Sequence, residues 1–511
     1  MTPKRIAFLL TVVLLAIPMY GAVGITTTTL PNGIENSAYS ATVTAPGGCY
    51  PYVWEIASGS LPPGLTGKGT SSTDTYTITG TPTLPGTFNF TVWVEGCGHH
   101  TSSYAYSVTI QPNSASGQIS PDFFGLHVNN LTNPWPTTVG IQFTNYRTHD
   151  SSDIVWSQLN PSAGTYYWKW LDYALQKSEQ YGTQVDFNFY YTPPWASSSP
   201  SGSCTMGNNG GCFPPNDLNA DGTGTDQHVK DFMNALMQHA GAGKFKYIEV
   251  WNEFNNKIEW SGTIAQLVRI TKDVSTIAKS YDPNVKIIGP AETGDWVKAG
   301  DNEGMRWLGE FLAAGGGQYV DIISLHGHVI NPEDIIPRTN SALAQMAQYG
   351  QSGKPLFDTE GSWPIIQGLA SDLQRGYLFR EYLATLSTPT QAFYVYAYDI
   401  DSTANYWSTP SQQVTVNGEA YKLFYGWLVG STMTSKCQAQ SAGSSTWSCT
   451  FTMQDGTQAM AIWNTAVTYP NTVPVTVPST YTKYFTLDGE SNSVGATHSV
   501  PVGYEPIWLE N

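Results

Sequence analysis

Eight apolar strand-like runs alternate with helical patterns over roughly 300 residues, which predicts a (β/α)8 barrel. Strand-and-turn patterns on both sides of that region predict a flanking β-sandwich at each end. A third observation agrees: the six cysteines fall into three local pairs, each inside one prospective domain. The expected organisation is therefore a signal peptide over 1–24, a β-sandwich over 25–112, a linker over 113–117, the barrel over 118–430 and a second β-sandwich over 431–511. With 511 residues the chain is long enough for several domains and a large core.

The first 24 residues read as an export signal. Lys4 and Arg5 precede an apolar run over 6–17 that is too short to span a bilayer comfortably, and Ala22-Val23-Gly24 fits a small-x-small cleavage site. Secretion, to the periplasm, the cell surface or the medium, is expected, with no membrane partner after cleavage. The 23 basic and 39 acidic residues give a formal net charge of -16, which argues against nucleic acid as a partner. Even cysteine count and absence of any CxxC favour disulfides over metal ligation, paired by proximity as Cys49–Cys97, Cys204–Cys212 and Cys437–Cys449.

In the first domain Tyr104, Tyr106, Val108 and Ile110 alternate with polar residues at period two. The motifs Leu61-Pro62-Pro63-Gly64-Leu65, Ile78-Thr79-Gly80-Thr81-Pro82 and Gly86-Thr87-Phe88-Asn89-Phe90-Thr91-Val92 follow at turn-strand spacing. They resemble the Ig-like domains carried by many secreted bacterial proteins, where such modules serve as spacers, docking units or weak glycan binders.

Barrel strands are predicted at 123–128, 143–147, 185–190, 247–251, 285–288, 320–325, 355–357 and 392–396. Between them, Val229, Phe232, Met233, Leu236 and Met237 form one helical face, and Ile264, Leu267, Val268, Val274, Ile277, Ala278 and Tyr281 another. The last helix is placed at 419–428. Beyond it strands return at 460–463, 474–477, 484–487 and 507–509.

The fourth strand ends in Trp251-Asn252-Glu253-Phe254-Asn255 and the seventh in Asp358-Thr359-Glu360-Gly361-Ser362-Trp363. Strand C-termini of a barrel open onto one face, so Glu253 and Glu360 should converge across one pocket. Two facing carboxyl groups can act as acid/base and nucleophile in glycoside cleavage, the ionised nucleophile holding the acid protonated.

At this point the sequence resembles clan A of the glycoside hydrolases, most closely family 39, the β-xylosidase and α-L-iduronidase family, over about 118–511. The resemblance implies that Glu253 is the acid/base, Asn252 a contact to the sugar 2-hydroxyl, Glu360 the nucleophile, and Arg147 the cation beside it. It implies no cofactor and a carbohydrate substrate. Two departures stand out: His328 occupies the place of an expected tyrosine, and the strand-eight segment Tyr394-Val395-Tyr396-Ala397-Tyr398-Asp399 lacks the usual tryptophan.

Other residues have competing readings. Asp358, two before Glu360 and so expected on the same strand face, is an alternative nucleophile. Glu249 is expected inward and structural. His326 and His328 share a face and fit sugar hydrogen bonding better than zinc, since no further His or Cys in the barrel offers an obvious third ligand. His149 and Asp150 are expected to line the pocket. Trp195, Trp363, Tyr190, Tyr191 and Tyr398 lie at strand ends, with sugar stacking expected of Trp195 and Trp363 above all. Asp217, Asn219 and Asp221 open like a calcium loop but reach His228, not glutamate, at position twelve; a helix-entry loop capped by Thr225 is preferred. The function expected is a secreted retaining β-glycosidase, β-xylosidase-like, with an endo-acting β-glycanase or a non-catalytic carbohydrate-binding protein as alternatives. Sugar, linkage and oligomeric state stay open at this level.

Overall fold

The computed structural model describes residues 22–34, 39–82, 86–111, 117–204, 209–294, 303–362 and 369–511. The expected export signal up to residue 21, most of the linker and Trp363 lie outside the described residues. The chain divides into two compact units, 1–113 and 114–511. Among the described residues no helix is long and apolar enough to cross a membrane.

The first unit is a two-sheet β-sandwich. One sheet runs Gly33–Ile34, Thr101–Gln111, Gly86–Glu95, Val53–Gly59; the other runs Tyr39–Thr44, Thr75–Gly80, Leu65–Gly69. Period-two alternation sends Val43, Ile78, Val92, Tyr106 and Val108 into one shared core. The Cys49–Cys97 disulfide closes it.

In the second unit eight parallel strands form the barrel: β1 (Phe124–His127), β2 (Asn145–Arg147), β3 (Gln184–Phe189), β4 (Tyr247–Val250), β5 (Lys286–Ile288), β6 (Ile323–His326), β7 (Leu356–Gly361) and β8 (Thr390–Val395). Hydrogen-bonded neighbours run in sequence order from β1 to β5 and from β6 through β8 back to β1. An Ile288–Ile322 bridge, with Gly289 N–H donating to Ile322 O at 2.9 Å, joins β5 to β6. Among the described residues, seven helices of eleven residues or more alternate with the strands, besides a four-residue turn of helix at Trp156–Leu159: α1 (Lys169–Tyr181), α2 (Gln227–Ala240), α3 (Ile264–Tyr281), α4 (Glu303–Ala313), α5 (Ile335–Gln348), α6 (Ser371–Leu386) and α7 (Val416–Leu428). After β1 there is only a 3-10 turn, Pro136–Val139, because Pro134 and Pro136 remove helix donors and fix the backbone.

The capping residues of two helices are legible. Thr263 and Gln266 form a reciprocal capping box at α3, and Thr415 Oγ1 accepts from Gly418 N at α7. The loop before α2 corrects the expectation for Thr225. Asp217 Oδ2 accepts from Gln227 N at 2.5 Å and from Thr225 Oγ1 at 2.8 Å, so Asp217 is the capping group. Asp221 Oδ1 is likewise taken by Thr223 N and Oγ1, and Asn219 Nδ2 donates to Thr223 Oγ1.

Beyond α7 a six-stranded sheet is ordered Thr432–Ala439, Thr446–Thr452, Gln458–Asn464, Ile507–Glu510, Lys483–Phe485, Ser491–Ser493. One face buries Phe451, Trp463 and Trp508 in the core shared with the barrel helices. The other face packs on the Thr472–Thr476/Ser499–Gly503 ribbon through Ile462, Val500, Val502 and Leu509. Trp508 stacks on Trp427 of α7 at 5.4 Å, and Trp463 Nε1 donates to Glu333. Cys204–Cys212 and Cys437–Cys449 are both bonded.

Candidate active site

A polar column rises through the barrel interior to its C-terminal mouth. At its base Glu249, on β4, is fully buried and accepts from Thr359 Oγ1 at 2.7 Å, from Asn188 Nδ2 at 3.2 Å and from Arg147 Nε. Three donors satisfy a charge that burial alone would expel. Arg147, 0% exposed, also donates to Glu360 Oε2 at 2.9 Å and to Asn252 Oδ1 at 3.0 Å. One guanidinium thus connects β2, β4 and β7. Burial works against its charge, but Glu249 and Glu360 outweigh that and raise its pKa.

Glu253 and Glu360 meet above Arg147, 8% and 4% exposed. His326 and His328 stand between them. His326 Nδ1 lies 3.1 Å from Glu253 Oε1 and 4.0 Å from Glu360 Oε2; His328 Nε2 lies 3.7 Å from Glu253 Oε1 and 3.5 Å from Glu360 Oε1. One ligating atom from each of these four residues falls within 4.8 Å of every other.

The two carboxyl groups titrate apart. Burial pushes Glu360 up, but the charge of His326, a hydrogen bond from His328 and the charges of His149 and His127 hold it well below the usual carboxylate range. Glu253 is lowered less: burial and the Glu360 charge raise it, while the hydrogen bond and charge of His326 and the charge of His328 prevail. The upward push expected from Glu360 is therefore present and outweighed. Glu253 remains the first of the two to take a proton as pH falls.

A second cluster stands beside Glu360. His149 Nδ1 lies 2.9 Å from Asn188 Oδ1, and its Nε2 lies 3.3 Å from Asp150. Tyr190 and Tyr396 hydroxyls donate to the two Asp150 oxygens at 3.0 Å each. Burial would make His149 a weaker base, but Asp150 raises it to about 9; Asp150 itself, despite burial, is lowered by His149 to about 2. His149 is cationic at neutral pH and adds to the field that keeps Glu360 ionised.

Left-handed backbone at non-glycine residues marks the same mouth. Asp150 and Asp153 after β2, Tyr191 after β3, Trp251 and Glu253 at the end of β4, and Ser362 after β7 all have φ between 38° and 69°. Such positions cost about 1–3 kcal/mol each and persist where surrounding bonds enforce them. Here Trp251 Nε1 donates to Glu259 O at 2.8 Å, and Ser362 Oγ bonds Glu381.

The structure corrects the facing of Asp358. Regular alternation would put Asp358 and Glu360 on one side, but the β6–β7 and β7–β8 registers both shift around this segment. Thr359 turns inward to Glu249, Glu360 turns into the mouth, and Asp358 Oδ1 accepts from Gly327 N at 2.9 Å. Asp358 is fully buried away from the pair, and burial, followed by the Glu381 charge, raises it well above the usual range. The same contact explains the glycine between the histidines, since a Cβ at Gly327 would lie 2.0 Å from Asp358 Oδ2.

Tyr398 also departs from expectation. It is 0% exposed, donates to Pro134 O at 2.9 Å and lies parallel to Trp407, so it offers no ring face to a sugar. Trp195 is half-buried, its Nε1 on Asn160 O at 2.8 Å and its ring against His228 at 5.0 Å. Tyr396 is the contact that sequence reasoning misses, although the strand-eight alternation of Ala392, Tyr394 and Tyr396 is a signal that places it inward. His127 is missed as well; its Nε2 lies 3.0 Å from Thr359 O, beside Arg147.

Residues 22–111 match a family model described as "Putative Ig domain". No curated protein matches the chain. Among solved structures, the chain is similar to a family 39 glycoside hydrolase from the gut symbiont Bacteroides cellulosilyticus WH2, with TM-score 0.56, 15% identity, and coverage of 96% of this chain and 97% of that one. It is similar to a glucosidase from Croceicoccus marinus, with TM-score 0.53, 14% identity, and 78% and 97% coverage. It is also similar to the GH51 arabinofuranosidase from Xanthomonas axonopodis pv. citri, with TM-score 0.50, 11% identity, and 78% and 97% coverage. At these identities the likeness is one of fold. The barrel frame that carries Glu253 and Glu360 is the frame of these glycoside hydrolases.

Proposed function

We propose that the chain is a secreted retaining β-glycosidase in which Glu360 is the nucleophile and Glu253 the acid/base. The observation that carries this reading is the meeting of Glu253 and Glu360 at the ends of β4 and β7, with ligating oxygens no more than 4.8 Å apart. Retention uses carboxyl groups ~5–5.5 Å apart, whereas inversion needs ~6.5–9.5 Å to admit a water. Glu360, kept ionised beside Arg147, attacks the anomeric carbon while Glu253 donates its proton to the departing oxygen. Glu253 then takes a proton from the water that releases the sugar from Glu360. Asn252 Oδ1 is fixed by Arg147, which leaves its amide N–H free to meet a sugar hydroxyl at the anomeric neighbour. Because the histidines lower Glu253, the proton the first step needs is most available in acid, and an acidic pH optimum follows.

The test is hydrolysis of aryl β-glycosides (xyloside, glucoside, galactoside, arabinoside, glucuronide) and of xylan by wild type and Glu360→Ala, with azide added to the variant. A glycosyl azide of inverted configuration formed only by the variant supports the assignment and names the sugar. Turnover unaffected by Glu360→Ala would overturn it. Binding of glycans with no turnover would favour a carbohydrate-binding protein.

A further inference from the structure

The four groups at the barrel mouth have the composition of a metal site as well as of a glycosidase centre. Four-coordinate zinc takes nitrogen at about 2.0–2.1 Å and carboxylate oxygen at about 2.0–2.2 Å. Tetrahedral ligands at about 2.1 Å from an ion stand about 3.4 Å from one another. With one oxygen taken from each carboxylate, Oε1 of Glu253 and Oε1 of Glu360, three histidine–carboxylate separations are 3.1, 3.5 and 3.7 Å. They bracket that edge, and no two of the four ligand atoms are more than 4.8 Å apart, so an ion could enter with side-chain shifts of about 1 Å. All four side chains are buried, which limits competition from water.

At Glu360 and at His326 the surroundings leave the needed lone pair open. Arg147 takes only Oε2 of Glu360, and Oε1 faces His328 Nε2. His326 Nε2 has no hydrogen-bond partner, so the ring can carry its proton there and present Nδ1 as a lone pair. Two imidazoles with two carboxylates select borderline ions such as Zn²⁺, Co²⁺ or Cu²⁺ over Mg²⁺ and Ca²⁺. The pattern depends on His328; a tyrosine in its place would leave one imidazole.

We propose that Glu253, His326, His328 and Glu360 together bind one zinc-class divalent ion, and that the bound ion switches off hydrolysis by occupying both carboxylates. The binding half stands on geometry alone; the inhibitory half rests on the glycosidase reading. Binding displaces the protons held by the cluster into solvent, so affinity rises with pH. No bond within the protein is made or broken, and a chelator reverses the effect.

The test uses the untagged full chain, titrated with Zn²⁺ by calorimetry and with Co²⁺ by visible absorption. Expected are one ion per chain, the intense visible bands of four-coordinate cobalt, and at least a tenfold loss of affinity in both His328→Gln and His326→Gln. His239→Gln, which changes a surface histidine, should bind as wild type does. Circular dichroism establishes that each variant is folded; if both inner variants fail to fold, displacement of Co²⁺ from wild type by a cationic iminosugar decides the matter, since both ligands need the same carboxylates. A pale six-coordinate spectrum, undiminished stoichiometry in the folded variants, or no effect of iminosugar on bound Co²⁺ would overturn the site. Zn²⁺ should also inhibit aryl glycoside hydrolysis competitively and reversibly with EDTA. Binding without inhibition overturns the switch. Binding to a chain that hydrolyses nothing overturns the glycosidase reading and leaves the metal site standing.

Discussion

Replacing Arg147 with leucine tests the organisation of the barrel interior without reference to any substrate. The guanidinium is wholly buried and donates to Glu249, Glu360 and Asn252. Leucine keeps much of the apolar volume and leaves two buried carboxylates without their cation. Breaking a buried pair from one side costs about 3–5 kcal/mol. Glu249 keeps Thr359 and Asn188 as donors and Glu360 keeps its histidines, so the lower end, about 3 kcal/mol, is expected. Urea unfolding at pH 7, followed by tryptophan fluorescence, reads the loss as a fall in midpoint at unchanged slope. Adding Glu249→Gln to Arg147→Leu removes one stranded charge and should recover at least about 1 kcal/mol, a coupling that contacting residues show and distant ones do not. The sign with pH follows from Glu360, whose folded pKa is depressed by His326 and His328 first, with the Arg147 ion pair at 2.9 Å acting in the same direction. The stability from its pairing is complete above its unfolded value of about 4.3 and is lost as pH falls through the lower folded value. The gap between wild type and Arg147→Leu should therefore shrink in acid. A variant within about 0.5 kcal/mol of wild type, or a double variant no more stable than the single, would refute the account.

Three further outcomes follow from individual contacts. His326→Ala removes the hydrogen bond and charge that lower Glu253, so Glu253 should keep its proton to higher pH and the basic limb of kcat/KM should move upward. An unmoved limb would remove His326 from that role. Gly327→Ala drives a Cβ against Asp358 Oδ2 and should cost about 1–3 kcal/mol in denaturant, with a larger proportional fall in activity because both flanking histidines shift. Replacing Cys204 and Cys212 by serine opens a loop of separation 8 and should lower stability by no more than about 2.5 kcal/mol, while making the chain between them newly sensitive to limited proteolysis.

Much of the barrel is legible in the sequence because its strands are short continuous apolar runs and its helices keep a 3.6-residue stripe. Glu253 is legible because a polar and aromatic cluster ending such a run gains nothing from a core. Glu360 is legible for the same reason, but the facing of its neighbours is not. Alternation fails where β7 shifts register, so it predicts that Asp358 shares a side with Glu360 when Thr359 is the inward residue. Tyr398 misleads because a ring beyond a strand end can cover a neighbour as readily as a ligand, and Trp407, beyond the last barrel strand, is what it covers. The histidines read from sequence as a pair short of a further His or Cys, whereas the groups that join them are the two glutamates, 73 and 32 positions away along the chain. Only closure of the barrel brings Glu253 and Glu360 to them.

The merger of barrel and C-terminal sheet in one core bears on when the protein can finish folding during synthesis. Ile507–Glu510 is an inner strand, paired on one side with Gln458–Asn464 and on the other with Lys483–Phe485. Its Trp508 lies on Trp427 of α7 and near Phe379 of α6. The outer face of the barrel therefore stays uncovered until residues about 380 positions after β1 have left the ribosome. The first unit, whose two sheets are complete by Gln111, can close long before. Synthesis thus yields an early-folded leading module followed by a long interval in which the barrel segment remains loose, a state that a chaperone can hold and a protease can attack.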